Sequence, residues 1–251
     1  LKSYRQCTFT FLNMELFFQE NILESTSEIK FSTEESRHIS KVLRKKTGDA
    51  ITVTNGKGLE WKGEITMLDT RNTIAKKTAT IFHEKATSNI HIAIAPTKSN
   101  DRMEWFLEKA TEIGITHITS ILCNHSERRN IKLERFEKIL IGALKQSNQF
   151  HLPKLNSLTS FSDFVPSNSA DNKFIAHCKE SNKSNLSSYK SLNKDVLILI
   201  GPEGDFSSEE VELALENDFL PIALGNQRLR TETAGFVACH TVVLNREQNK
   251  T

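Results

Sequence analysis

Asp195-Val-Leu-Ile-Leu-Ile-Gly-Pro-Glu-Gly204 and Leu224-Gly-Asn-Gln-Arg-Leu-Arg-Thr-Glu-Thr-Ala234 decide the fold. The first begins as an apolar, largely branched run without alternation, which suits a strand buried on both faces of a parallel sheet. It stops at two glycines and a proline, a backbone able to approach a ligand closely. Ser207 follows as an N-cap with Glu210 three residues on, a capping-box pattern. Val211, Leu213, Ala214 and Leu215 supply the apolar side of the helix it opens. A second apolar run, Pro221 to Leu224, ends at Gly225, and Leu229 to Ala234 lead into an apolar helix. Two strand ends, each followed by a glycine loop, are expected side by side in one sheet. Ligands of open α/β sheets bind in the crevice beyond such strand ends.

Upstream, strands alternate with helices, the pattern of a parallel α/β sheet. The spacing predicts a strand at His91–Ala95 and a helix at Asn100–Ile113 with Met103, Phe106, Leu107 and Ala110 inward, closed by Gly114. Ile115–Leu122 reads as a strand, and Leu133–Gln146 as a helix with Phe136, Leu140, Ala143 and Leu144 on one side. Phe174–Cys178 and Val196–Ile200 are further strands, and the polar, serine-rich Ser181–Lys194 between them reads as a loose surface loop. The character changes near Ala86-Thr-Ser-Asn89, taken as a domain boundary at residue 86. Before it, short strands at 14–19 and 28–31 precede a helix from Thr33 to Arg44, opened by Ser32 with Glu35 and striped by Ile39, Val42 and Leu43. Ala50–Thr54, the turn Asn55-Gly-Lys-Gly58, Leu59–Leu68 and Asn72–Phe82 complete a small β-barrel pattern. Residues 1–13 read as a non-native or disordered extension, since Met14 precedes the first convincing strand.

The 251 residues are 37% hydrophobic and 25% charged, ordinary for one large or two smaller globular domains. No apolar run is long enough to span a bilayer. Cys7, Cys123, Cys178 and Cys239 are scattered without metal or redox spacing, the pattern of a reduced, cytoplasmic protein. The net charge of +2 is low for a protein that binds naked nucleic acid. Local clusters are more informative: Arg37, His38, Lys41, Arg44, Lys45 and Lys46 in one helix and its exit, and Arg128 with Arg129. A solvated face is the simpler account of either on composition alone.

The glycine loop matches neither the dinucleotide fingerprint nor the P-loop, which argues against a nucleotide-binding enzyme of Rossmann type. Glu203 and Asp205 would repel a phosphate, so a cationic or zwitterionic nucleoside fits better. The eight histidines show no paired spacing, so no metal site is expected. No nucleophile elbow is present. Trp105 and Phe106 read as core rather than a base-stacking platform.

Four separated stretches together carry more than turn chemistry. They are Arg37-His-Ile-Ser-Lys-Val-Leu-Arg44; Lys98 with Arg102-Met-Glu104, Lys109, Glu112 and Gly114; Ile200-Gly-Pro-Glu-Gly204; and Leu224-Gly225 with Leu229-Arg-Thr-Glu-Thr-Ala234. In this order the chain resembles the RsmE family of 16S ribosomal RNA uridine-N3 methyltransferases, within the SPOUT superfamily. The resemblance implies an α/β fold: a SPOUT-type trefoil-knotted parallel-sheet domain over 87–251, preceded by a small PUA-like β-barrel for RNA over 14–86. It implies methylation of the uracil numbered 1498 from S-adenosylmethionine, 16S rRNA within the assembled small subunit as partner, and a homodimer built through the knotted domains.

It further implies a cofactor site at Cys178; at Leu199, Ile200, Gly201, Pro202, Glu203 and Gly204; at Leu224, Gly225 and Asn226; and at Leu229, Arg230, Thr231, Glu232, Thr233 and Ala234. Arg230 is a candidate to stabilise negative charge on the uracil, and Glu232 a candidate base or orienting group; a structural ion pair between the two is the alternative. Arg37, His38, Lys41, Arg44, Arg102 and Arg128 are candidates for RNA contact. Three positions depart from the family pattern: Asp205 where a second glycine is usual, Gln227 where arginine is common, and Gln149 where arginine tends to stand. The rival readings are a methyltransferase of the same superfamily acting on another RNA, and a non-catalytic RNA-binding or ribosome-assembly protein.

Overall fold

Short strands and one tight hairpin build the first of two units. The computed structural model describes residues 15–179, 182–190 and 192–249; the extension expected at 1–13, and Cys7 within it, lie outside the described residues. One unit ends at Glu84 and also takes in Asn148–Phe150; the other holds Lys85–Ser147 and the chain from His151 onward.

In the first unit, β1 (Leu16–Phe18), β2 (Glu28–Lys30), β3 (Ala50–Thr54), β4 (Leu59–Met67) and β5 (Ile74–Phe82) form one sheet in the order β1-β3-β4-β5-β2. β1 runs parallel to β3 and the other pairs are antiparallel. The Gln19 side chain donates to the Lys30 carbonyl at 3.3 Å, linking the ends of the two edge strands. β4 carries a register shift at Lys62/Gly63. Gly63 is required there: a Cβ would lie 2.4 Å from the Trp61 ring and 2.7 Å from the Lys76 carbonyl oxygen. Trp61 fills the core with Phe17, Phe31, Ile39, Val53 and Ile65, and its indole N–H reaches the Thr26 carbonyl at 2.8 Å.

The helix expected over Thr33–Arg44 is a composite. Ser32 caps α1 (Thr33–Arg37) by accepting from the Glu35 amide, and the chain then widens into a π-helical turn over His38–Val42. The wider turn shifts the facing positions. Ile39 is fully buried, but Val42 is 66% exposed, so the predicted stripe does not hold at Val42. Arg44 terminates the segment in the left-handed conformation (φ 53°) instead of continuing the helix.

The second unit is a seven-stranded sheet in which every pair is parallel. Its elements are β6 (Ile90–Ile94), α2 (Asn100–Glu112), β7 (His117–Leu122), α3 (Leu133–Gln146), β8 (Lys154–Ser160), α4 (Phe161–Phe164), β9 (Asn172–Ala176), β10 (Ser184–Asn185), β11 (Val196–Ile200), α5 (Ser208–Glu216), β12 (Leu220–Ala223) and α6 (Thr231–Gln248). The strand order is β10-β12-β9-β11-β6-β7-β8. All five residues of β11 are buried, as its unbroken apolar run predicts. The inward residues predicted for α2 and α3 are all buried, and Gly114 closes α2 with φ 92°. Trp105, expected in the core, is 41% exposed. Leu215, expected on the inner side of α5, is 46% exposed, because the nine-residue helix buries only Glu210, Val211 and Ala214.

Three further features of the sheet were not predicted. β11 and β12 are not neighbours, since β9 lies between them. β8 and α4 were not expected as elements. The polar stretch before β11 is less loose than its composition suggests: Leu186 and Leu192 are buried in the core. There, Asn245 of α6 donates to the Tyr189 carbonyl and accepts from the Leu192 amide. The Arg246 guanidinium donates to the carbonyls of Ser88, Asn89, Leu192 and Lys194 at 2.8–3.1 Å.

Candidate active site

All strands of the second unit point the same way, so the loops after β6, β7, β9, β11 and β12 collect at one edge. The Gly201–Gly204 loop is tied there from several directions. The Glu203 carboxylate accepts from the Lys98 amide at 3.0 Å, and the Thr231 hydroxyl donates to the Gly201 carbonyl at 3.1 Å. His125 Nδ1 donates to the carbonyls of Gly204 and Asp205 at 3.1 and 3.0 Å. A Cβ on Gly204 would stand 2.9 Å from His125 Cβ, so only glycine permits this approach. Behind the loop, Ser207 and Glu210 form the predicted capping box of α5.

Asp205 follows with φ 63°, a conformation more natural to glycine. Its carboxylate accepts from the Cys178 amide at 2.9 Å and from the Phe206 amide at 2.9 Å. The side chain thus compensates the backbone strain by fastening the β11 loop to the β9 loop.

Two cavities open beside these loops, of about 320 and 570 Å³. The first is bounded by Ile200–Glu203 on one side and Arg228–Thr231 on the other. The second lies between His177–Lys179 with Lys183 and Ile222–Leu229. Ala176, Cys178, Asp205, Arg228, Leu229 and Ala234 line both. An apolar floor, exposed glycine backbone and a few charged groups, in this size range, suit a small organic ligand. The same chemistry fits a nucleoside carrying an amino-acid tail.

Of the residues expected to hold a cofactor, Cys178, Ile200, Gly201, Pro202, Glu203, Leu224, Gly225, Asn226, Leu229, Arg230, Thr231 and Ala234 line these cavities. Leu199 does not, being fully buried among Ala93, Ile175 and Phe206. Gly204 faces His125 instead, and Glu232 and Thr233 open into a separate recess of about 300 Å³ with Asp101, Arg102 and Trp105. Asp205, Gln227 and Arg228, which fall within or beside the expected loops, also line the cavities, and Ala176, His177, Lys179, Lys183, Ile222 and Ala223 complete the lining without having been predicted. Most adjoin predicted positions in sequence, but Lys183 lies in a polar stretch that carries no local signal.

Charged groups near the site are unequally engaged. Glu232, 7% exposed in the first turn of α6, has Arg102 Nε at 3.7 Å; its ion pair is with Arg102, not with Arg230. Arg230 is exposed at the N-cap of α6. Arg128 is occupied within the chain, donating to the Asn100 side chain and to the Lys98 carbonyl. Burial, then the nearby Lys183 ammonium, lowers the His177 pKa and leaves its imidazole neutral at neutral pH. In the first unit, Arg37, His38 and Lys41 are exposed on α1 and the π-helical turn, and Arg44 is exposed just beyond it. Among the described residues no group of three His, Cys, Asp or Glu is placed to hold a metal ion, and no helix is long and apolar enough to cross a membrane.

Comparison with known proteins agrees with this architecture. Residues 83–243 match the family model of the RNA methyltransferase domain, and residues 31–77 that of the RNA methyltransferase PUA domain. The fold and the site together therefore define an RNA methyltransferase that pairs a PUA domain with a parallel-sheet catalytic domain. A relative from Buchnera aphidicola subsp. Acyrthosiphon pisum, ribosomal RNA small subunit methyltransferase E, is 30% identical over 84% of this chain and 86% of its own length. The chain belongs to the ribosomal RNA small subunit methyltransferase E family. A probable rRNA-methyltransferase from Porphyromonas gingivalis is 38% identical, with a TM-score of 0.87 over 94% of this chain and 99% of that one. The Neisseria gonorrhoeae ribosomal RNA small subunit methyltransferase E, solved bound to S-adenosyl methionine, is 26% identical with a TM-score of 0.79, covering 90% and 95% of the two chains.

Proposed function

We propose that the protein transfers a methyl group from S-adenosylmethionine to N3 of a uridine in 16S ribosomal RNA, the position numbered 1498. The observation that carries this reading is the pair of joined cavities between the Gly201–Gly204 and Leu224–Arg230 loops, open rather than filled by side chains. When bound, S-adenosylmethionine supplies an electrophilic methyl group on a sulfonium, whose S–C electron pair stays with sulfur as the new N–C bond forms. The glycine loops bind the nucleoside through backbone groups, and Ala176, Ile200, Leu229 and Ala234 give its base an apolar bed.

Uridine N3 must lose its proton before it can attack. Arg230, exposed at the rim of the first cavity, is assigned to the negative charge that develops on the uracil oxygens. Glu232, held by Arg102 in the adjoining recess, is assigned to receive the N3 proton or to orient the group that does. Positioning nitrogen and methyl in line supplies much of the remaining acceleration.

The protein acts as a homodimer through its second unit. Trp105, Phe236 and His240 form an aromatic row there, and the exposed Leu244 lies one helical turn beyond His240, an apolar stripe suited to a partner surface. The bonds from Asn245 and Arg246 to Tyr189, Leu192 and Lys194 support the trefoil knot, because they hold the last helix against the connection that leads into β11. The first unit presents Arg37, His38, Lys41 and Arg44 to RNA phosphates, and the low net charge favours the assembled small subunit over bare RNA.

The test is incubation of small subunits with the purified protein and S-adenosylmethionine, followed by nucleoside mass spectrometry and mapping of the modified position. 3-Methyluridine at 1498 is expected. Arg230→Ala and Glu232→Ala should each lower kcat/KM by about a hundredfold or more. Absence of the modified base with the unaltered protein overturns the activity; unchanged turnover in both variants overturns the residue assignments.

A further inference from the structure

Asp205 stands where the two cavities meet. It lines both, on a half-buried residue, and its left-handed backbone is fixed by its own carboxylate. Each carboxylate oxygen accepts one backbone N–H, which leaves acceptor capacity on both. Among the described residues, no lysine or arginine forms an ion pair with it. The other carboxylate of the first cavity, Glu203, differs: one oxygen takes the Lys98 amide, and the other is buried away from solvent without a hydrogen-bond partner among the described residues, whereas both Asp205 oxygens are already paired with backbone at the junction. The remaining charged groups around the cavities are cationic: Lys179, Lys183, Arg228 and Arg230. Of these, the Lys183 ammonium is already bonded to the carbonyls of His177 and Lys179 at 2.8 and 2.5 Å.

From this placement we propose that Asp205 is the charge-reading residue of the cofactor site, facing the sulfonium of S-adenosylmethionine and favouring it over the neutral thioether product S-adenosylhomocysteine. The inference rests on the reading of the cavities as the cofactor site. In the methyl donor the sulfonium joins the adenosine to the amino-acid tail. A ligand whose two ends occupy the two cavities therefore places that atom at their junction. The attraction is to charge present in the ground state and lost on transfer. It acts on cofactor choice and product release, and it does not accelerate the chemical step.

The experiment is titration calorimetry of the full chain with S-adenosylmethionine and with S-adenosylhomocysteine, for the unaltered protein, Asp205→Asn and Asp205→Gly. Asparagine keeps one acceptor oxygen without the charge; glycine relieves the backbone and removes the tether. Both variants should cut the preference for S-adenosylmethionine over S-adenosylhomocysteine by about tenfold, with Asp205→Asn leaving S-adenosylhomocysteine affinity within about twofold. A purely structural clasp would weaken both ligands alike, and that outcome, or an unchanged preference, overturns the proposal. Failure of the unaltered protein to bind either ligand would overturn the cofactor-site reading itself.

Discussion

Single side chains in the second unit are committed to local charge economy beyond the site. His91 sits against Thr119 with Nε2 2.7 Å from its hydroxyl, and burial, then His117 and Lys154, pushes its pKa down to about 3. An imidazole in the unfolded chain takes up its proton near pH 6.5. Between pH 6.5 and about 3 the unfolded chain therefore binds more protons than the folded one, and stability falls as the pH falls through that window. Above pH 6.5 the contribution is fully present. His117 and His177 are shifted the same way and add to the slope. Urea unfolding at pH 7 and pH 5 should show the loss, and His91→Gln should reduce it; identical slopes in the two proteins would assign the dependence elsewhere. Trp105 shows how far residue type alone can mislead. A tryptophan in an amphipathic helix reads as core, yet this one lies beside the Arg102–Glu232 recess because the inward stripe of α2 is complete with Met103, Phe106, Leu107 and Ala110.

Elements were legible where the hydrophobic period was strong. The bounds of β11 and α3 follow directly from an unbroken apolar run and from a 3.6-residue stripe. β8 was not legible because Lys154–Ser160 is a polar edge strand with no fully buried residue and little alternation. The π-helical turn was missed since a hydrogen-bond register leaves no mark in composition. Of the site, both glycine loops and the strand β9 could be read, but the place of β9 between β11 and β12 could not, because crossovers are set by packing and not by local sequence. The closing of α6 depends on Arg246 in the same nonlocal way: its guanidinium serves four backbone carbonyls from residues 88, 89, 192 and 194. Arg246→Ala should destabilise the protein by about 2–4 kcal/mol, since it orphans carbonyls bonded to a charged donor. Arg246→Lys should recover only part, because a point charge cannot reproduce the fork. Thermal or urea unfolding measures both; a loss under about 0.5 kcal/mol for the alanine variant would show that water replaces the guanidinium.

At the scale of the molecule, the proposed reading assigns RNA contact to one unit and methyl transfer to the other, and the two roles should separate in experiment. Replacing Arg37, Lys41 and Arg44 with glutamine should weaken binding to small subunits by about tenfold or more at low salt and flatten its salt dependence, with cofactor affinity unchanged. Filter binding across a salt series, beside calorimetry, checks this; unaltered RNA affinity would reduce the basic cluster to an ordinary solvated face. The sheet that carries the catalytic loops has a further consequence for biosynthesis. Its central pair joins β6 to β11, over a hundred positions later, and the α6 end that braces Ser88 lies 158 positions downstream of it. A nascent chain therefore has the cavities between these loops incomplete until α6 has been made. Such late, distant pairings also slow folding, so a newly made molecule gains its activity last of all.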